Sequence, residues 1–392
     1  MRLRQSDAGD YYSSMNSHRI YCDHAATTPL DSRVAHFMCD LDRNFVANPS
    51  SPHFEGQRAK AILETARRRL CKVLNCNRSE IIFTSSATEA NNLVLRGLLK
   101  SGDHVLAAGT EHPSILKTAE QLSNLGIEFE RIPSNPTGTI RLPDILARLK
   151  SETRLVSIQY VNHETGAVNP IHEIGNRLKS QQTLFHSDMV QALGKKAIDL
   201  TALPVDMASF SSHKVYGPKG AGALFIRQGT LLDPQITGGN QEQRLRAGTE
   251  NVSAAAGFAL AAEQLESSRD QYCEQLHTLT LLFFQTLTEL SVSYIANSKN
   301  PVPGLINLSF PGFVAEALLM NLDLAGVAAS TGAACSSGSF QASSVLQAMD
   351  LSDDRIKSAV RFSFGWDNTP DDVVYIAQSI SEICHRLEVK TE

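Results

Sequence analysis

Between Glu80 and Ile226, short apolar runs alternate with stretches of helical periodicity, and that alternation restricts the chain to a small set of folds. The runs are Ile81-Ile-Phe-Thr84, His104-Val-Leu-Ala-Ala108, Leu155 to Val161, Thr183-Leu-Phe-His-Ser187 and the pair bracketing Lys214 within Asp206 to Ile226. Helical patterns begin near Ala87, Pro113 and Ile171. Strands alternating with helices make a mostly parallel sheet covered on both faces, and such sheets take ligands at the carboxyl ends of their strands. Farther on, Pro303 to Phe310, Ala315 to Leu322, Val327 to Ser330, Ser344 to Met349, Val360 to Phe364 and a helix Asp371 to Leu387 read as a smaller α+β unit. The expected class is therefore α/β, a mostly parallel sheet flanked by helices, with a smaller α+β C-terminal domain.

The strand ends carry the chemistry. In chain order they present Thr88, His112, Asn162-His163-Glu164, Asp188 with Gln191, and then Ser211, His213 and Lys214. A lysine at the end of a buried strand is costly unless it is paired, neutral or covalently bound. A Schiff base to an aldehyde cofactor meets that cost and makes the amine useful, whereas the plain alternative is a surface lysine in a tight turn. The turn from Ile81-Ile-Phe-Thr84 into the next helix leaves unpaired N–H groups facing out, which suits a phosphate. Ser85, Ser86 and Thr88 serve equally as plain helix caps.

Composition closes off other classes. The chain has 392 residues, 42% hydrophobic and 20% charged, enough for two domains with a large core. A net charge of −5 leaves no general basic footprint for nucleic acid. Seven cysteines (22, 39, 71, 76, 273, 335, 384) are scattered and lack a CxxC pair, which argues for a reducing compartment and against a disulfide framework or a structural zinc. No run reaches membrane-span length, and the first residues lack the apolar core of a signal peptide. The expectation is a cytoplasmic protein without a metal, with a loose tail over 1–17. Gln57 to Leu74 reads as a basic amphipathic helix on the solvated surface, and Ala254 to Leu290 as one long connecting helix.

Taken together these stretches resemble fold-type I enzymes that use pyridoxal 5'-phosphate (PLP), and in detail the cysteine desulfurases. The resemblance is carried by Asp23-His-Ala-Ala-Thr-Thr-Pro29, Asn48-Pro-Ser-Ser51, Phe83 to Asn92, Thr110-Glu-His112, Ser211-Ser-His-Lys-Val-Tyr-Gly-Pro-Lys-Gly220, Arg246-Ala-Gly-Thr-Glu-Asn251, Ser330-Thr-Gly-Ala-Ala-Cys-Ser-Ser-Gly338 and Ile356 to Gly365. It implies a homodimer with a large PLP domain over 18–265 and a small domain over 266–392 bearing a reactive cysteine, residues 18–28 being able to pack with the small domain. Lys214 would carry PLP and move the α-proton; Asp188 would face the pyridine nitrogen, although it can also cap the turn after its strand. Gln191 and His163 would lie by the ring hydroxyl, and His112 would stack on the ring. Ala87, Thr88, Ser211 and His213 would bind the phosphate, with Thr249 reaching over from the other subunit. Asn48 and Arg361 would bind substrate, Arg361 as a fork-shaped carboxylate clamp. Cys335, in a run almost without bulky residues, fits an exposed loop better than a core. In the family its thiol takes sulfur from cysteine as a persulfide and leaves alanine. The spacing from Cys335 to Arg361 resembles the long-loop group.

Three departures stand out. His163 occupies a position where the family has a second asparagine; Trp366 replaces a commoner arginine; and the sequence ends at Glu392 without the apolar tail by which housekeeping members dock an iron–sulfur scaffold. The resemblance implies a protein sulfur acceptor, an iron–sulfur scaffold or a thiolation protein. Beside desulfuration of L-cysteine stand selenocysteine lysis, a β-eliminating cysteine lyase releasing pyruvate, and a non-catalytic sulfur-relay partner suggested by His163.

Overall fold

A computed structural model of the chain describes residues 19–45, 47–332 and 342–388. In chain order its strands are β1 Ile20–Tyr21, β2 Ile81–Thr84, β3 His104–Ala108, β4 Glu128–Ile132, β5 Thr153–Ser157, β6 Leu184–Asp188, β7 Met207–Ser211, β8 Gly222–Ile226, β9 Ile295–Ala296, β10 Leu305–Ser309, β11 Val327–Ala328 and β12 Ala359–Ser363. Seven of them form one sheet in the order β2-β8-β7-β6-β5-β3-β4. Only β8 runs against its neighbours in that sheet.

Why the inner strands read as unbroken apolar runs follows from their burial: β3, β7 and β8 are buried at every residue. Successive side chains point to opposite faces, and here both faces are covered. Leu106, Val156, Phe185, Ala208 and Phe225 join the core on one side. Val105, Leu155, Met207 and Leu224 join the core on the other, under the helices Ala87–Leu98 and Pro113–Ser123. The edge strand β4, Glu-Phe-Glu-Arg-Ile, is mostly exposed or half-buried; with one solvated side it carries charges and went unread as a strand in the sequence.

Two helical expectations are corrected. The helix Phe54–Leu74 is not a solvated surface helix, because Leu63, Ala66, Leu70 and Leu74 are buried against the helix Val252–Ser267. Two of its basic residues turn inward as well: Arg67 is buried and paired with Glu242, and Arg69 pairs with Glu263 of the packing helix. The stretch 254–290 is two helices, Val252–Ser267 and Arg269–Glu289, broken at Ser268.

The smaller unit holds the antiparallel sheet β12-β10-β9. Strand β1 crosses to pair in parallel with β11, Ile20 opposite Val327. The turn after β1 therefore runs between the small sheet and the main one, and Ala25 N–H is held by Ser363 Oγ at 2.8 Å. Among the described residues no helix is long and apolar enough to cross a membrane.

Candidate active site

A cavity of about 360 Å³ opens at the carboxyl ends of β2, β3, β5, β6 and β7. A groove of about 980 Å³ lies elsewhere, but its most buried charges, Arg67 and Glu242, neutralise each other at 2.7 Å. The smaller cavity has the convergent polar groups that a ligand site needs. Ala87, Thr88, His112, His163, Asp188, Gln191, Ser211, His213, Lys214 and Arg361 all line it, so the fold brings together ten of the residues singled out in the sequence.

Lys214 follows β7 in a single turn of 3-10 helix and is half-buried. Its Nζ donates to Ala25 O and Ala26 O, each at 2.5 Å, which answers the cost of putting an ammonium here. The tyrosine two residues on adopts φ 63°, a strained value for a side chain of that size. Thr28 Oγ1 accepts the Tyr216 N–H at 2.7 Å and holds the turn in place. Trp366, which departs from the family pattern, stacks on Tyr272 at 4.8 Å and sends its N–H to Tyr216 Oη at 2.8 Å, so it packs behind this turn.

Asp188 ends β6 and is buried. One oxygen accepts Val190 N–H at 3.0 Å and the other accepts Asn91 Nδ2 at 3.0 Å. The turn-capping expectation and the site expectation are thus compatible, since each uses a different oxygen. Asn91 also donates to Ser114 Oγ at 2.8 Å, and that hydroxyl lies 2.8 Å from His112 Nδ1. His112 Nδ1 accepts the Ser114 backbone N–H at 3.1 Å, which leaves the ring proton of neutral His112 on Nε2. Burial lowers the His112 pKa, with Lys214 acting in the same direction and Asp188 against it.

His163 meets His112 edge to face at 5.3 Å. Burial holds His163 well below the usual imidazole range, with His112, Arg361 and Lys214 adding to the effect, so both rings are neutral at neutral pH. Burial also pushes His213 down to about 4, and its Nδ1 lies 3.1 Å from Thr27 Oγ1. The start of the helix Ala87–Leu98 is capped by Ser86, whose oxygen accepts Glu89 N–H at 3.2 Å, and Glu89 accepts Ser85 N–H at 2.9 Å. Ser86, Ala87 and Thr88 still line the cavity, so capping does not take the helix start away from it.

Arg361, central in β12, is buried and not the surface residue that is commonest for arginine. Asn48 and Thr249 do not reach the cavity within the chain: both are exposed, 3.5 Å apart, beside another pocket. Cys335 lies outside the described residues. Sequence reading gave no role to Asn91, Ser114, Gln159 or Asp23. Asn91 and Asp23 carried signals, Asn91 standing four residues after Ala87 on the same helix face and Asp23 opening the stretch to Pro29.

The cavity thus brings together an amine, buried imidazoles, a carboxylate and a helix start. The chain belongs to the aminotransferase class-V family, whose model matches residues 20–376, and membership implies PLP. The cavity's donor set fits that group: an amine for an aldehyde, Asp188 for a ring nitrogen, and serine, threonine and N–H donors for a phosphate.

Within the family the chain stands with the cysteine desulfurases. It is 38% identical over 376 residues to the putative cysteine desulfurase IscS 1 of Bacillus subtilis, spanning 94% of this chain and 99% of the relative. Among solved structures it resembles a NifS-like protein, with TM-score 0.89, 33% identity and coverage of 94% and 100%. It also resembles SspA in complex with cysteine, with TM-score 0.79, 31% identity and coverage of 88% and 99%.

Proposed function

We propose that the chain removes sulfur from L-cysteine, giving L-alanine and a persulfide on Cys335 that passes to an acceptor protein, and that it does so in the cytoplasm as a homodimer with domains over 18–265 and 266–392. The observation that carries this reading is Lys214 Nζ lining one cavity with Asp188 and His112 in a chain of this family. PLP, when bound, supplies an electron sink for carbanionic character at the substrate α-carbon.

The chain's own groups do the rest. Lys214 holds the cofactor through its amine and moves the proton at the α-carbon. Asp188, braced by Asn91 at 3.0 Å, gives the ring nitrogen a fixed carboxylate partner. Ala87, Thr88, Ser211 and His213 take the phosphate, His213 as a neutral donor. His112, with its proton on Nε2, shuttles a proton over the cavity. Arg361 receives the substrate carboxylate, and its burial makes that contact strong. The Cys335 thiolate attacks the substrate sulfur; the S–S bond forms as the C–S bond breaks, and carbon takes up a proton as alanine.

Because Asn48 and Thr249 sit away from the cavity of their own chain, the homodimer reading has them completing a second copy's site. Sedimentation of the purified protein tests that reading, a monomer excluding it. Incubation with L-cysteine, with alanine measured against pyruvate and intact mass following one added sulfur on Cys335, tests the reaction. Pyruvate in place of alanine, or turnover that ignores Cys335→Ala, would overturn it, and faster turnover of selenocysteine without the thiol would mark a lyase.

A further inference from the structure

Gln191 and Lys195 stand four residues apart on the turn after β6, in which Lys195 N–H donates to Ala192 O at 2.9 Å. The turn brings the two side chains into contact. Gly194, at φ 77°, passes so close to Leu265 that a Cβ there would fall 2.1 Å from a leucine methyl, which fixes where Lys195 leaves the backbone. Lys195 Nζ donates to Gln191 Oε1 at 3.3 Å, and Gln191 Nε2 donates to Ala25 O at 2.9 Å. The same carbonyl accepts Lys214 Nζ at 2.5 Å.

An amide's orientation is decided by what its neighbours can do. An ammonium only donates, and a carbonyl only accepts. Gln191 is therefore pinned from both sides, its oxygen toward Lys195 and its nitrogen toward Ala25, while it also lines the cavity. Of its two N–H bonds, Ala25 takes one. We propose that Lys195 is a positioning residue that fixes the amide polarity of Gln191, so that the cavity receives an N–H donor for an oxygen substituent on the cofactor ring. Burial lowers the Lys195 pKa to about 8, and at neutral pH the group remains a charged donor. His24 and Cys273 are the titratable groups felt beside it.

This inference rests on the cavity being the PLP site. The test is equilibrium binding of PLP to the apoprotein, followed by absorbance, for the wild type, Lys195→Met, Lys195→Arg, Gln191→Ala and the double variant Lys195→Met with Gln191→Ala. Loss of one charge-fixed hydrogen bond predicts about tenfold weaker binding in Lys195→Met. Lys195→Arg, which still only donates, should stay within about threefold of the wild type. Gln191→Ala should add little once Lys195 is gone, because the two act through one contact. Unchanged affinity in Lys195→Met, or effects that simply add, would overturn the proposal. Melting of each apoprotein separates a folding defect from a binding one, with Lys195→Gln replacing Lys195→Met if the latter does not fold. A wild type that takes up no PLP would instead sink the cofactor reading, and this inference with it.

Discussion

Arg361 Nη2 donates to Asp23 Oδ1 at 2.6 Å, joining the middle of β12 to the turn after β1. Its Nη1 donates to His163 O at 3.0 Å, while Nε is buried without a partner among the described residues. The guanidinium proposed to receive a substrate carboxylate thus already has one carboxylate in its fork. An incoming amino acid must share it or displace Asp23.

Two opposite effects follow from that pair. Arg361→Ala should raise the KM for cysteine by about tenfold or more, the worth of a charge-assisted hydrogen bond, with PLP uptake retained. Asp23→Asn removes the competing charge and should lower KM, but it leaves a buried cation less well balanced and should lower the melting temperature. Steady-state kinetics and calorimetry on both variants decide this; an Asp23→Asn enzyme with raised KM would refute the competition.

Lys214→Ala should remove both the amine proposed to anchor the cofactor and the proposed base. Turnover should fall by about a thousandfold or more, and borohydride should no longer fix PLP to the chain. Mass spectrometry of the reduced protein reads the second outcome directly. Retained fixation would place the anchoring amine elsewhere.

Gly222 lies in β8 against the start of the helix Ala87–Leu98, where an added Cβ would fall 2.6 Å from the Ser86 carbonyl carbon. Backbone cannot yield as a flexible side chain does, so Gly222→Ala should push the helix start away from the cavity. A cost of about 1–3 kcal/mol is expected from overpacking. PLP affinity should fall with stability, since the displaced residues line the cavity where the phosphate is proposed to sit. Binding and melting measured together test the link.

Glu164 is buried, and burial raises its carboxyl to about 7, with Ser343 and Arg361 opposing. Since the folded pKa lies above the unfolded one, the folded chain holds the proton more tightly. Its stabilising share is therefore full below about pH 4.5 and lost as pH rises through about 7, roughly 3 kcal/mol in all. Glu164→Gln should flatten this dependence and make the protein less sensitive to pH between those values. Denaturant midpoints across the range provide the check, and an unchanged slope would exclude Glu164 as its source.

Much of the architecture was legible in the chain itself. Buried strands such as β3 and β7 read as apolar runs because both faces of the sheet are covered, and Gly217-Pro218 marks the turn between the two strands around Lys214. Exposed edges were harder: β4 carries two glutamates and an arginine because half of it meets solvent. The helix Phe54–Leu74 was misjudged because its composition is basic, whereas burial is decided by which stripe faces Val252–Ser267.

The sequence by itself determined the fold class and the inventory of reactive groups, since local periodicity and residue chemistry are written in neighbouring positions. Only the tertiary structure decided how those groups are held. Asn91 reaches Asp188 from another element, Asp23 meets Arg361 across 338 positions, and Lys195 orients Gln191 toward a carbonyl 166 positions away. Such partnerships depend on where the sheet and its crossing turns bring distant backbone together, and spacing along a chain does not encode that distance.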